Sequence, residues 1–103
     1  MTRYLLIYRG DPEARASMPP MTEEQIAQEN AAWNDWAAKV GSGIIDFGTP
    51  TEAVSPGADP TVGGYSLIEA ESAEHADSLL DGHPHRLRGG RIDVYELQPV
   101  PGM

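Results

Sequence analysis

The run Tyr4-Leu5-Leu6-Ile7-Tyr8 is apolar at every position. A strand on a one-sided sheet alternates apolar and polar residues, so an unbroken run predicts a strand covered on both faces. Gly10-Asp11-Pro12 ends it. After Pro19-Pro20 the period changes. Ile26, Asn30, Trp33, Ala37 and Val40 recur at helical spacing and predict a helix from Glu23 to about Val40, with this set as its inward face. Thr22 and Gln25 stand at the two positions of a capping box, and Glu23 and Glu24 suit the positive helix end. Gly41-Ser42-Gly43 stops the helix.

Ile44-Ile45-Asp46-Phe47 predicts a second strand, closed by Gly48-Thr49-Pro50. Thr51 to Gly63 reads as a Pro- and Gly-containing connection with a short edge strand near Glu52-Ala53-Val54. Tyr65 to Ala70 is a third strand. Ser72 caps a second helix from Ala73 to about Asp81, with Ala76, Leu79 and Leu80 inward, ended by Gly82 and Pro84. Ile92 to Gln98 is the last strand. The order βαββαβ predicts an α+β, ferredoxin-like antiparallel sheet with two helices on one face. The helices leave the other face bare, and an apolar sheet face is more than a soluble monomer tolerates. The pattern therefore predicts a homodimer packed sheet to sheet, a dimeric α+β barrel.

Composition narrows the function classes. The 103 residues fit one domain, residues 1–103. Sixteen acidic residues against seven Lys and Arg give a net charge of -9, which repels phosphate backbones and anionic headgroups. Nucleic acid and membrane are therefore not expected as partners. The absence of cysteine excludes disulfides and thiolate chemistry. The apolar run at the start is shorter than the roughly 7–15 residues of a secretory signal. A soluble cytoplasmic protein is the expectation.

Taken together, Tyr4 to Tyr8, Gly48-Thr49-Pro50, Gly64-Tyr65-Ser66-Leu67-Ile68-Glu69-Ala70, His83-Pro84-His85, Gly89-Gly90 and Val94-Tyr95-Glu96 carry a resemblance in order and spacing. The chain resembles the YCII-related family, also called the DGPF-domain family, of the dimeric α+β barrel superfamily. The Asp-Gly-Pro-Phe tetrapeptide that names one branch is absent, and Thr61-Val62-Gly63-Gly64 stands near its place. In one branch, the resemblance implies, a His on the first helix and an Asp in the loop before the last strand are proposed as an acid-base dyad. One member there removes chloride from an aromatic substrate. Here the helix position falls near Ala32-Trp33, and His83 stands where that Asp would be. The dyad does not carry over.

Among the residues themselves, His83 and His85 are the acid-base candidates, because only imidazole titrates near neutrality unperturbed. Capping of a helix end is the alternative role. A metal on His83-Pro84-His85 lacks an evident third ligand, since His75 belongs to the preceding helix, and neither metal nor cofactor is expected. Trp33 and Trp36, about 60° apart around the helix, offer one core residue and one pocket floor. Tyr65 and Arg91 complete the ligand-binding candidates. Arg86, Arg88 and Arg91 either bind a carboxylate or pair with the chain's own acids. Two functions follow. One is a non-catalytic or degenerate small-molecule-binding or accessory homodimer. The other is a small-molecule enzyme with lyase- or isomerase-like acid-base chemistry on a loop His.

Overall fold

The computed structural model describes residues 1–102. Four strands form one sheet: β1 (Thr2–Arg9), β2 (Ile44–Asp46), β3 (Val62–Ala70) and β4 (Arg91–Glu96), in the spatial order β2-β3-β1-β4. Every neighbouring pair is antiparallel. The helices are α1 (Pro12–Ser17), α2 (Glu23–Val40), α3 (Ala73–Ser78) and α4 (Pro84–Leu87), with a 3-10 turn at Gly41–Gly43. This is the α+β, ferredoxin-like arrangement that the βαββαβ pattern predicts.

The register explains the unbroken apolar run. Tyr4, Leu6 and Tyr8 point to one face and are buried with Ile68, Ala70 and Ile92 beneath Trp36 of α2 and Ala76 and Leu80 near α3. Leu5 and Ile7 point the other way and are half-buried. Leu5 pairs with Leu67 on one side and Tyr95 on the other, and Ile7 pairs with Tyr65 and Asp93. Residues directly opposite share a face, so Leu5, Ile7, Leu67, Tyr65 and Tyr95 form an apolar patch on the face without helices. Tyr95 is 50% exposed there.

The two main helices start as their sequences require. Thr22 Oγ1 accepts from the Gln25 N–H at 3.1 Å, and Gln25 Oε1 accepts from the Thr22 N–H at 2.9 Å. Ser72 Oγ accepts from the His75 N–H at 3.0 Å.

Four local expectations are corrected. Gly10-Asp11-Pro12 is not only a stop: Asp11 caps α1, with Pro12 in its first turn. That start signal is legible, because proline's missing N–H costs nothing at a helix start. The connection 51–61 forms no edge strand at Glu52–Val54, and only an isolated bridge joins Pro50 to Gly64. Pro84 begins a helix instead of ending one, with His83 as its N-cap. Finally, Ile26 is 46% exposed and Asn30 is exposed. Residues 23–28 are all exposed, so the first turns of α2 overhang the sheet. The covered stripe is Glu29, Ala32, Trp33, Trp36, Ala37 and Val40, with Trp36 its one buried member.

Candidate functional site

The helix-covered face gathers aromatic rings around His83, which has no accessible surface. β1 supplies Tyr8, α2 supplies Trp33 and Trp36, and the turn after β2 supplies Phe47. The His83 ring centroid lies 4.5 Å from Trp36, 4.7 Å from Trp33 and 5.1 Å from Tyr8. Phe47 stands 5.6 Å from Trp33 and is 41% exposed at the margin. Trp36 is anchored by its indole N–H, which donates to the Leu79 carbonyl at 2.9 Å. The Trp33 indole N–H donates to Glu29 at 2.9 Å. Trp36 is the buried tryptophan and Trp33 the partly exposed one.

A chain of hydrogen bonds runs through the cluster, and its direction is set at both ends. The His85 backbone N–H donates to His83 Nδ1 at 3.0 Å, closing the first turn of α4. That leaves the ring proton of a neutral imidazole on Nε2. Nε2–H therefore donates to Tyr8 Oη at 3.3 Å. Tyr8 Oη donates to Ser66 Oγ at 2.6 Å, and Ser66 Oγ donates to the Phe47 carbonyl at 2.6 Å. A backbone amide can only donate and a carbonyl can only accept, so the chain cannot reverse.

Burial sets the ionisation of both rings. It pushes the His83 imidazole down to about 3, with a smaller push from neighbouring His85, Arg86 and Arg88, so His83 is neutral. It pushes the Tyr8 hydroxyl up to about 12 against the opposing effect of the Ser66 hydrogen bond. In this arrangement His83 presents no lone pair to solvent. His85 differs. Its Nε2 meets the Arg9 carbonyl at 2.8 Å, so that nitrogen carries the proton. Its Nδ1 has no hydrogen-bond partner among the described residues. The His85 ring also lies over Gly90, where a Cβ would come within 2.3 Å of Nε2.

The other site candidates lie elsewhere. The Tyr65 hydroxyl donates to Asp46 at 3.0 Å on the helix-free face, and Asp46 raises the hydroxyl's pKa. Arg91 is on β4 and meets Asp93 at 3.0 Å. It lines an open groove of about 430 Å³ with Arg9, Asp11, Thr61 and Gly89. The two named arginines beside it are paired as well, Arg86 with Asp77 and Arg88 with Glu29, each at 2.9 Å. Arg9 bridges Asp93 and Asp59 and, by its hydrogen bond, holds the Asp93 carboxyl below the usual range. Thus Trp33, Trp36 and His83 come together with His85 at the rim, while Tyr65 and Arg91 do not join them. His75 Nδ1 accepts from the Glu71 N–H, away from the other two histidines. Among the described residues no group of three or more His, Asp and Glu is placed to hold a metal ion.

Ser66 and Phe47 were not legible as site residues. Tyr8 reads only as one of four strand tyrosines, with Tyr4, Tyr65 and Tyr95, of which one or two could put a hydroxyl into a pocket, and Ser66 as a polar interruption of β3. A signal did exist: a serine at an inward position of a strand needs a partner.

Among the described residues no helix is long and apolar enough to cross a membrane. No protein-family model matches the chain, and no curated protein matches it. Among solved structures it is similar to the 5-chloro-2-hydroxyhydroquinone dehydrochlorinase of Burkholderia phenoliruptrix AC1100, in complex with 2,5-dihydroxybenzoquinone. The identity is 23%, the alignment covers 92% of this chain and 93% of that one, and the TM-score is 0.54. At this identity the likeness establishes one thing, that the two chains share the ferredoxin-like α+β fold.

Proposed function

We propose that this chain is a homodimeric small-molecule-binding or accessory module of the YCII-related kind, without acid-base catalysis at His83. One observation carries the reading: both ring nitrogens of His83 are engaged and its ring has no accessible surface. A general base needs a lone pair that can reach its proton. His83 instead caps α4 and closes the aromatic cluster. The dimer forms through the helix-free face, where the apolar centre of Leu5, Ile7, Leu67, Tyr65 and Tyr95 is flanked by the ion pair Arg3–Glu69 at 3.8 Å. A two-fold axis through it brings the same apolar patch of both subunits together.

The ligand belongs to the aromatic cluster, at the margin marked by Trp33 and Phe47. The dehydrochlorinase of the same fold holds 2,5-dihydroxybenzoquinone, a flat hydroxylated ring. A second reading, a lyase- or isomerase-like enzyme, has one observation in its favour, the unpartnered Nδ1 of His85. Light scattering at micromolar concentration, together with a thermal-shift screen of hydroxylated aromatics, tests the proposal. A dimer stabilised by such compounds is expected. A well-folded monomer, or turnover of a hydroxylated aromatic that His85→Ala abolishes, overturns it.

A further inference from the structure

We propose that residues 82–90 form a hinged flap whose His83 ring plugs a slot built for a planar, neutral ring with a hydrogen-bond donor. The slot is the place the imidazole now occupies, between the edges and faces of Trp36, Trp33 and Tyr8 at centroid distances of 4.5, 4.7 and 5.1 Å. The protein has seated one of its own flat rings in an aromatic cage. A ring from outside can take the same seat once this one leaves.

The segment is built to leave as a unit. Gly82 and Gly89 stand at its ends with φ of 76° and 85°, and a side chain on either would meet nothing within 4 Å. Between them α4 is a single short helix, held internally by the Leu87 N–H to His83 carbonyl and Gly90 N–H to His85 carbonyl bonds. Its polar attachments to the rest of the molecule are the His83 N–H to the Leu80 carbonyl at 3.0 Å, the His83 ring on Tyr8, the His85 ring on the Arg9 carbonyl, and the ion pairs Arg86–Asp77 and Arg88–Glu29. Its apolar attachments are the packing of the His83 ring on Trp33, Trp36 and Tyr8 and of the His85 ring on Tyr8. Pro84 is the only other buried residue in it.

The chemistry of the occupant follows from the direction of the hydrogen-bond chain. Ser66 donates to a carbonyl, so it must accept from Tyr8, and Tyr8 is left with a lone pair facing the slot. The slot therefore selects a donor, a phenolic O–H or an azole N–H, and rejects a ring that carries only acceptors. Burial rejects an ionised ring. The ligand part of this inference rests on the small-molecule reading above; the flap part does not.

Hydrogen exchange without ligand tests the flap. The amides of His85, Leu87, Arg88 and Gly90 are expected to exchange together and at least about tenfold faster than those of β1 and β3. Exchange at the same rate as the central strands overturns it. Phenol and anisole, titrated by tryptophan fluorescence, test the slot. His83→Ala is expected to bind phenol about tenfold or more tighter than the wild type, because the internal competitor is gone. Gly89→Ala, which touches neither cage nor core but strains the closed flap, is expected to do the same by roughly tenfold. It stands in if His83→Ala does not fold. Phenol binding that neither change tightens overturns the plug. Anisole binding as tight as phenol overturns the donor rule. Fast flap exchange with no phenol binding in any variant overturns the ligand class and the small-molecule reading, and leaves the flap standing.

Discussion

Tyr8 and His83, 75 positions apart in the chain, meet at 3.3 Å with the tyrosine oxygen accepting from the imidazole. The contact ties the central strand to the cap of α4. It also determines how the whole buried chain of donors and acceptors must run, which makes its parts interdependent.

Removing Ser66 leaves the Tyr8 hydroxyl without its acceptor, and Ser66→Ala is expected to cost about 1–3 kcal/mol in urea denaturation. Tyr8→Phe strips the acceptor from His83 Nε2 and is expected to cost a similar amount. The double variant should cost less than the sum by about 0.5 kcal/mol or more, because both changes break one chain. Strict additivity would show that the two bonds are independent.

Acid tests the burial of His83. Its folded pKa is lowered to about 3, below the ordinary value of 6.5 given for an unperturbed ring. Between these values the unfolded chain holds a proton that the native chain does not. The contribution is therefore complete above about pH 6.5 and is lost as pH falls toward 3. Stability should drop by up to about 1.4 kcal/mol per pH unit from this group. In His83→Gln the slope between pH 6 and pH 4 should flatten by up to that amount. An unchanged slope would assign the acid sensitivity to the carboxylates.

Trp36 carries both volume and a hydrogen bond to the Leu79 carbonyl, and it is 3% exposed. Trp36→Phe is expected to destabilise by about 2 kcal/mol or more through the lost volume and the orphaned carbonyl. Trp33→Phe, at a partly exposed ring bonded to Glu29, should cost less. Midpoints of thermal unfolding rank the two. The reverse order would mean that Trp33 holds the cluster.

Leu5 sits at the centre of the helix-free face, between Leu67 and Tyr95. Leu5→Asp places a charge in the proposed subunit contact. The expected result is a shift from dimer to monomer by sedimentation, with the helix content of the far-ultraviolet spectrum retained. A dimer that persists would move the subunit contact to another surface.

Much of the architecture is legible in the amino-acid sequence. Period and punctuation located α2 and its capping box, the Ser72 cap and all four strands. They did so because these signals act within a few residues of one another. The inward face of α2 departs from its helical period, since Ile26 and Asn30 share a stripe with Trp33 yet overhang the sheet. How far a sheet extends beneath a helix is not a local property.

The candidate site was legible as residue types but not as a connection. His83, Trp33 and Trp36 stand out in the sequence; Tyr8 and Ser66 do not, because their hydroxyls matter only where strand pairing brings Tyr8 beside β3 and α4 folds over it. The elements, their order, and a first strand greasy on both sides are written in the order of residues along the chain. Which tryptophan is buried, the helix that Pro84 opens, and the closed cage that holds a buried imidazole neutral follow from packing across the molecule. Helix and strand signals act over one or two turns of chain, whereas burial and hydrogen-bond direction depend on groups that meet only when the sheet has closed.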